Sequence, residues 1–290
     1  EQLIQVRGTH LLFGVACVAA TALLSRRLRQ SRSANLLAAA VVISCLGGAT
    51  WLSMQYWEAR SATTHLRTQM RDLSAVAAAT SMPSAISYDL QVDHQGTQIA
   101  VEADMILRAP AEVALDTLLL TLNPGLNVEE LSIDDAPASF TRDQHLLRVH
   151  LARPLAAADS IRLKMRYRGQ IDERFCYLDI ESERLSSTYR MMLLTIPKRY
   201  AFVTPDYLHL TAEAAWYPLA GLPPGAAFPL SGQRDFATYR LRISVPSRWA
   251  AFSQGAVQID SLDAVAHYDF QTESPIPQAS LTAGVYEQRE

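Results

Sequence analysis

The sequence predicts a mainly β protein, in which two N-terminal transmembrane helices and a short helical stalk precede an antiparallel β-sandwich. Three observations predict this fold class. Two long apolar runs lie near the N-terminus, a stretch with helical spacing follows, and from residue 84 apolar and polar residues alternate with the period of a strand. We therefore divide the chain into a helical hairpin over 1–57, an amphipathic stalk helix over 58–82 and a β domain over 83–290.

Composition excludes several classes of protein. Of the 290 residues, 49% are apolar and 19% are charged, which is apolar for a soluble protein and polar for a bundle of membrane helices. The formal charge of −3 and the lack of a basic stripe argue against nucleic acid as a partner. Cys17 and Cys45 lie in the apolar runs and Cys176 stands alone, so the sequence offers no disulfide framework and no paired thiolate metal site.

The second apolar run gives the clearest membrane signal. Leu36 to Met54 carries no charge, and about 20 apolar residues cross the ~30 Å hydrocarbon core as a helix. The first run, Leu11 to Leu24, is shorter and begins beside Thr9 and His10. We expect spanning helices over about 9–25 and 36–54; the alternative is a buried helical hairpin of a soluble domain.

The residues that flank these runs predict the orientation. Aromatic side chains follow the second run and arginines fill the loop between the two, and both kinds of residue are typical of the membrane interface. The predicted interface anchors are Trp51, Tyr56, Trp57, Arg26, Arg27, Arg29 and Arg32. Short arginine-rich loops stay cytoplasmic, so the β domain is expected on the extracytoplasmic, periplasmic side of the cell (inner) membrane. Because the chain starts at Glu1 without methionine, we expect further spanning helices upstream.

The stalk shows one apolar stripe. Leu66, Met70, Leu73 and Ala77 follow one another at spacings of four, three and four residues, which places them on one face of a helix. Such a helix either packs on the next domain or lies at the membrane surface.

The β domain shows clear alternation in several segments. In one predicted strand the apolar positions are Ile99, Val101, Ala103, Met105 and Leu107. In another, IRLKMRYRG, the four apolar residues Ile161, Leu163, Met165 and Tyr167 alternate with Arg162, Lys164, Arg166 and Arg168. This pattern is typical of a sheet with one buried and one solvated face, and many short strands joined by turns favour a sandwich.

Between residues 84 and 287 five segments follow one another in the order LDTLLLTLNPGLNVEELSID, LLRVHLARPLAAADSIRLKMRYRG, AWYP, FATYRLRISVPSRWAAFSQG and SPIPQASLTAGVYE. Their order and spacing resemble the N-terminal β domain of the aminopeptidase N family of zinc peptidases. The resemblance implies that Trp216 and Tyr217 face the substrate; Glu213 is a further candidate, although it is out of register with the family's acidic residue.

The catalytic motifs of that family are missing from this sequence. H-E-x-x-H would hold zinc through two histidines one helical turn apart, and neither it nor G-x-M-E-N occurs here. We therefore expect no catalytic residue and no cofactor in this chain, with a zinc-binding catalytic domain downstream of Glu290.

Membrane helices joined to this domain resemble large bacterial proteins in which an ABC type-2 permease is fused to an aminopeptidase N-like module. The resemblance implies the lipid bilayer, other permease helices, an ABC ATPase subunit and a peptide substrate as partners. Two alternatives stay open: a membrane-anchored binding or docking module associated with a transporter and without peptidase activity, and a structural or adhesive sandwich on a two-helix anchor.

Overall fold

The structure, a computed structural model, describes residues 2–25, 31–175, 201–223, 235–262 and 264–286. Two α-helices lie within these ranges, α1 (Gln2–Leu24) and α2 (Arg32–Ala77). Sixteen strands follow: β1 (Ser84–Gln95), β2 (Gln98–Arg108), β3 (Leu115–Thr121), β4 (Leu126–Ile133), β5 (Ala136–Pro137), β6 (Phe140–Asp143), β7 (Leu146–Leu155), β8 (Ser160–Gly169), β9 (Ala201–Thr204), β10 (Tyr207–Leu210), β11 (Leu219–Ala220), β12 (Thr238–Pro246), β13 (Ala250–Phe252), β14 (Ala256–Leu262), β15 (Val265–Gln271) and β16 (Leu281–Gly284). Two short 3-10 helices occupy Glu173–Phe175 and Ala212–Ala214.

Both helices are long and apolar enough to cross a membrane, and 6% of the apolar window of each is buried. The helix α1 begins earlier than the expected residue 9, and α2 runs for 46 residues through both the expected spanning segment and the expected stalk. The residues between those two segments include neither glycine nor proline, so nothing in the sequence interrupts the helix there.

Two glycines allow α1 and α2 to approach each other. A Cβ on Gly48 would lie 3.1 Å from Cδ1 of Leu12, and one on Gly8 would lie 3.2 Å from Cδ1 of Leu52. Each glycine therefore provides the space that a leucine of the other helix fills, as small residues do at helix contacts in membranes.

The chain divides into two compact units, Glu1–Leu66 and Arg67–Glu290. In the second unit, a sheet of eight strands has the order β14-β15-β12-β1-β2-β8-β4-β5. Two sheets of four strands have the orders β13-β16-β10-β9 and β11-β3-β7-β6. We call them the large sheet, the C-terminal sheet and the side sheet.

One strand pair of the large sheet departs from the antiparallel pattern. The central strands β1 and β12 run parallel, with Ser87 opposite Thr238 and Asp93 opposite Ser244. The chain between them forms strands β2, β4, β5 and β8 of the large sheet, the whole side sheet and strands β9 and β10 of the C-terminal sheet, and β12 then runs in the same direction as β1. Alternation predicts which residues face the core, but it carries no information on strand direction.

The core lies between the inner face of the large sheet and the two small sheets. The five alternating apolar residues of β2 are all buried, as predicted, and so are Leu163, Met165 and Tyr167 of β8. A bulge between Ala85 and Ser87 turns Ala85 inward. The mainly β fold behind two apolar helices is confirmed.

The end of α2 packs on the β domain. Met70 and Ala77 are buried, and Ala77 contacts Leu119 and Leu146, with Leu73 partly buried beside them. The predicted apolar stripe is therefore the packed face of the helix. The sequence left open whether this helix packs on the next domain or lies at the membrane surface, and the structure shows that its end packs on the next domain.

Candidate functional site

The aromatic residues expected to face substrate lie in the core. Trp216 and Tyr217 have no exposed surface. The Tyr217 hydroxyl accepts a hydrogen bond from the backbone N–H of Ala279 at 3.1 Å, and the Trp216 carbonyl accepts one from the Tyr167 hydroxyl at 3.2 Å. A side chain without exposed area has no surface for a peptide, so this expectation is corrected. Glu213 is half-buried on its short helix and stays a prediction.

Tyr217 belongs to a cluster of buried tyrosines. The rings of Tyr88 and Tyr239 stack with centroids 4.9 Å apart, and the Tyr217 ring meets Tyr88 edge-on at 5.3 Å. Burial raises the pKa of Tyr88 well above its ordinary value. Aromatic pairs of this geometry add stability beyond the area that they bury, so the AWYP segment serves to close the sandwich.

Four of the seven predicted membrane-interface anchors lie among the described residues. Trp51 and Trp57 are 60% and 71% exposed on α2, and Arg32 is exposed at its start. Tyr56 accepts a hydrogen bond from the Arg60 guanidinium at 3.3 Å. Arg26, Arg27 and Arg29 lie outside the described residues. That these seven residues contact lipid headgroups stays a prediction.

Zinc does not fit the residues that the structure describes. Among the described residues, no group of three or more histidine, cysteine, aspartate or glutamate side chains could hold a metal ion. The sequence also lacks H-E-x-x-H. The part of the chain that the structure describes therefore provides no ligand set for zinc.

The outer face of the large sheet carries a ladder of ion pairs. Arg162 pairs with Asp104, Arg240 with Asp269, and Arg242 with Asp89, while Lys164, Arg166 and Arg168 pair with Asp135, Glu130 and Glu129. The ammonium of Lys164 holds the pKa of Asp135 below its ordinary range. A groove of about 750 Å³ lies on this face. Each of these ion pairs joins side chains of opposite charge, and exposed pairs of this kind contribute little to stability.

The C-terminal sheet exposes aromatic residues on its outer face. In one register row, Phe252, Thr282, His209 and Phe202 lie opposite one another across β13, β16, β10 and β9. The next row on the same face contains Tyr207 and Gly284. Tyr286 is the second residue after the end of β16. We call Phe202, Tyr207, His209, Phe252 and Tyr286 the aromatic face.

Ring contacts make the aromatic face one continuous surface. The Tyr286 ring lies 5.2 Å from Phe252 and 6.2 Å from Tyr207, and the Phe202 ring lies 6.1 Å from His209. Phe252 and Tyr286 remain 55% and 41% exposed. Burial and a hydrogen bond with Tyr207 raise the pKa of Tyr286.

A glycine positions the central ring of this face. A Cβ on Gly284 would lie 2.8 Å from Cδ2 of Tyr207, so the tyrosine ring lies against the bare backbone of β16. The opposite side of the sheet is core, since Leu208, Leu210, Leu281 and Ala283 are buried. The chain therefore places apolar or aromatic residues on both sides of a thin sheet, a costly arrangement unless the outer side meets another surface.

Sequence reasoning missed the aromatic face. Its residues come from four short segments, and each segment shows only local alternation of the kind that any strand has. The face is defined by the strand register, which aligns Phe202, His209 and Phe252, and this register exists only in the folded sheet.

Comparison with known proteins identifies the fold. No family model and no curated protein matches the chain. Among solved structures, the M1 zinc metallopeptidase from Deinococcus radiodurans matches with a TM-score of 0.52 and 17% identity, over 70% of this chain and 42% of that one. A mutant of an M1 zinc metallopeptidase from the same organism, bound to a Tyr-Ser-Ala substrate, matches with a TM-score of 0.54 and 17% identity, over 72% and 44%. Legionella pneumophila aminopeptidase A in complex with aspartic acid matches with a TM-score of 0.51 and 14% identity, over 71% and 22%.

These similarities confirm the fold that the sequence resemblance implied. The β domain has the architecture of the N-terminal domain region of M1 zinc aminopeptidases, and the present chain spans less than half the length of the matching structures. At identities of 14–17% the likeness shows the fold.

Proposed function

We propose that this chain is the non-catalytic, substrate-side N-terminal β domain and membrane anchor of a membrane-embedded zinc aminopeptidase-like protein, whose catalytic zinc domain follows residue 290. The observation that carries the proposal is the fold match over 70–72% of the chain to peptidases of which it spans less than half. On this proposal, the expected catalytic domain would be the counterpart of a part of those peptidases that this chain does not cover.

The aromatic face supports a docking role toward that domain. It includes Tyr286, and the expected catalytic domain follows residue 290, so that domain would begin within a few residues of this face. Large exposed aromatic side chains dominate the energy of protein interfaces, and they rarely stay exposed on monomeric domains.

The helices support the anchor. We propose that α1 and α2 are the last helices of an ABC type-2 permease, in contact with lipid, other permease helices and an ABC ATPase subunit. The arginine-rich loop would be cytoplasmic and the β domain extracytoplasmic at the inner membrane, where peptide substrates would reach it.

The test uses the complete protein, purified from membranes. We expect hydrolysis of aminoacyl p-nitroanilides that a chelator abolishes and added zinc restores. A complete protein that contains no zinc and hydrolyses none of these substrates would refute the peptidase function and favour the docking module associated with a transporter.

A matched pair of variants tests the aromatic face. Phe252→Asp places a charge in the proposed interface and should lower the melting temperature of the complete protein, whereas Phe236→Asp, at a site that is 65% exposed and outside the aromatic face, should not. The melting temperature reports docking, and it reads out independently of peptidase activity. Equal effects of the two substitutions would exclude this face as the docking site.

A further inference from the structure

A buried histidine lies where the end of α2 meets the β domain. The His145 side chain is fully buried, and its Nε2 lies 2.9 Å from the Ser74 hydroxyl of α2. Its ring centroid lies 5.4 Å from that of Phe175 on the short helix Glu173–Phe175. The imidazole thus fills the contact between the end of α2 and the side sheet.

The surroundings of His145 favour the neutral ring. Among the described residues its Nδ1 has no hydrogen-bond partner, so a proton there would create a buried donor without an acceptor. Arg142 lies three residues before His145 in the chain, and its guanidinium donates to the carbonyls of Asn123, Leu126 and Gln144. That cation would also repel an imidazolium.

Among the residues that the structure describes, the other charged groups on the surrounding elements do not offset Arg142. On α2, the buried Arg67 donates to the Arg174 carbonyl at 2.6 Å. Beside the short helix, the Asp172 carboxylate pairs with Arg174 at 2.7 Å, and Glu173 is exposed. Asp143 of β6 is exposed as well. The contact between α2 and the β domain therefore favours the neutral form of His145.

We propose that the Ser74–His145 contact is an acid-sensitive device, in which protonation of His145 releases the last turns of α2 from the β domain. The trigger is a proton, and the element that responds is α2 from Arg67 to Ala77. Release would uncover the imidazole and let water solvate its charge, while the core between the sheets stays intact. This inference is independent of peptidase activity.

The direction of the effect follows from linkage. Burial, together with the charge of Arg142, lowers the pKa of His145 from 6.5 to about 4. The docked state therefore binds fewer protons than the released state, and docking weakens as the pH falls through 6.5 toward 4. Between pH 7 and pH 5 the ratio of released to docked helix should rise about twenty-fold.

Hydrogen exchange on the full chain in detergent micelles tests this proposal. After correction for intrinsic exchange rates, the amides of Met70 to Ala77 should exchange about twenty-fold faster at pH 5 than at pH 7, while the amides of β2 keep their protection. An unchanged rate for these helix amides, or an equal loss of protection in β2, would overturn the proposal.

Variants separate the histidine from other titrating groups. His145→Gln should abolish the pH response, and His150→Gln, at an exposed site on the following strand, should leave it intact. Should His145→Gln fail to fold, Ser74→Ala provides the second test: it removes one hydrogen bond, raises exchange at pH 7 about fivefold, and keeps the response to acid. A pH response that persists in His145→Gln, or disappears in His150→Gln, would contradict the assignment.

Discussion

Asn123 connects three segments of the β domain. It is fully buried; its side-chain amide nitrogen donates to the carbonyls of Ala214 and Asp172, and its amide oxygen accepts from the backbone N–H groups of Gly125 and Asp172. The sequence predicts the turn Asn123-Pro124-Gly125, but it gives no hint of these distant partners. An amide suits this position because it presents donors and acceptors together.

Replacing Asn123 should be among the most damaging polar substitutions in the domain. Asn123→Leu leaves the buried Ala214 carbonyl, the part-buried Asp172 carbonyl and two part-buried N–H groups without their partner, so we expect a loss of about 3 kcal/mol in the free energy of unfolding. Urea denaturation of the chain in micelles measures it. Asn127→Leu, at an exposed site on β4, is the control and should change stability by less than about 0.5 kcal/mol. Similar losses in both variants would refute this role for Asn123.

At the scale of elements, the end of α2 acts as a packed helix of the β domain. Met70→Ala removes a fully buried side chain and should cost about 2–5 kcal/mol of unfolding free energy. Val76→Ala changes the same helix at a site that is 74% exposed, and it should cost little. Denaturation monitored by circular dichroism distinguishes the two. If Met70→Ala were as mild as the control, the helix would not be packed here.

The hairpin offers an adjacent pair of glycines as a matched test. Gly48 faces Leu12 of α1, whereas a Cβ on Gly47 would meet nothing within 4 Å. Gly48→Val should force the helices apart at a cost of about 1–3 kcal/mol, and Gly47→Val should not. Crosslinking yields between cysteines introduced on facing positions of α1 and α2 report the change. An equal reduction in both variants would show that the two helices do not pack through Gly48.

At the scale of the whole molecule, local sequence patterns predict the buried positions and the helices, but they do not predict which distant strands pair. Alternation identifies the buried positions of β2 and β8 because each strand faces one core, and hydropathy identifies both helices. The parallel pair of β1 and β12 joins residues about 150 positions apart, for which the sequence has no local signal. The aromatic face and the Ser74–His145 contact depend on the same kind of distant register.

The mistaken role of Trp216 and Tyr217 has a related cause. A Trp-Tyr-Pro segment has the same residues whether its rings point into a cleft or into a core. The tyrosine cluster decides the matter, because Tyr88 and Tyr239 provide the stacked surface that Tyr217 contacts edge-on. Tyr88 and Tyr239 lie on strands β1 and β12, outside the segment itself.

The reading frame that encodes residue 290 provides the most direct test of the central claim. Beyond that codon, the reading frame should encode an H-E-x-x-H motif with a further glutamate at ligand spacing, on a domain that completes a zinc peptidase. A stop codon, or a following domain without that motif, would contradict the account and leave a membrane-anchored docking module.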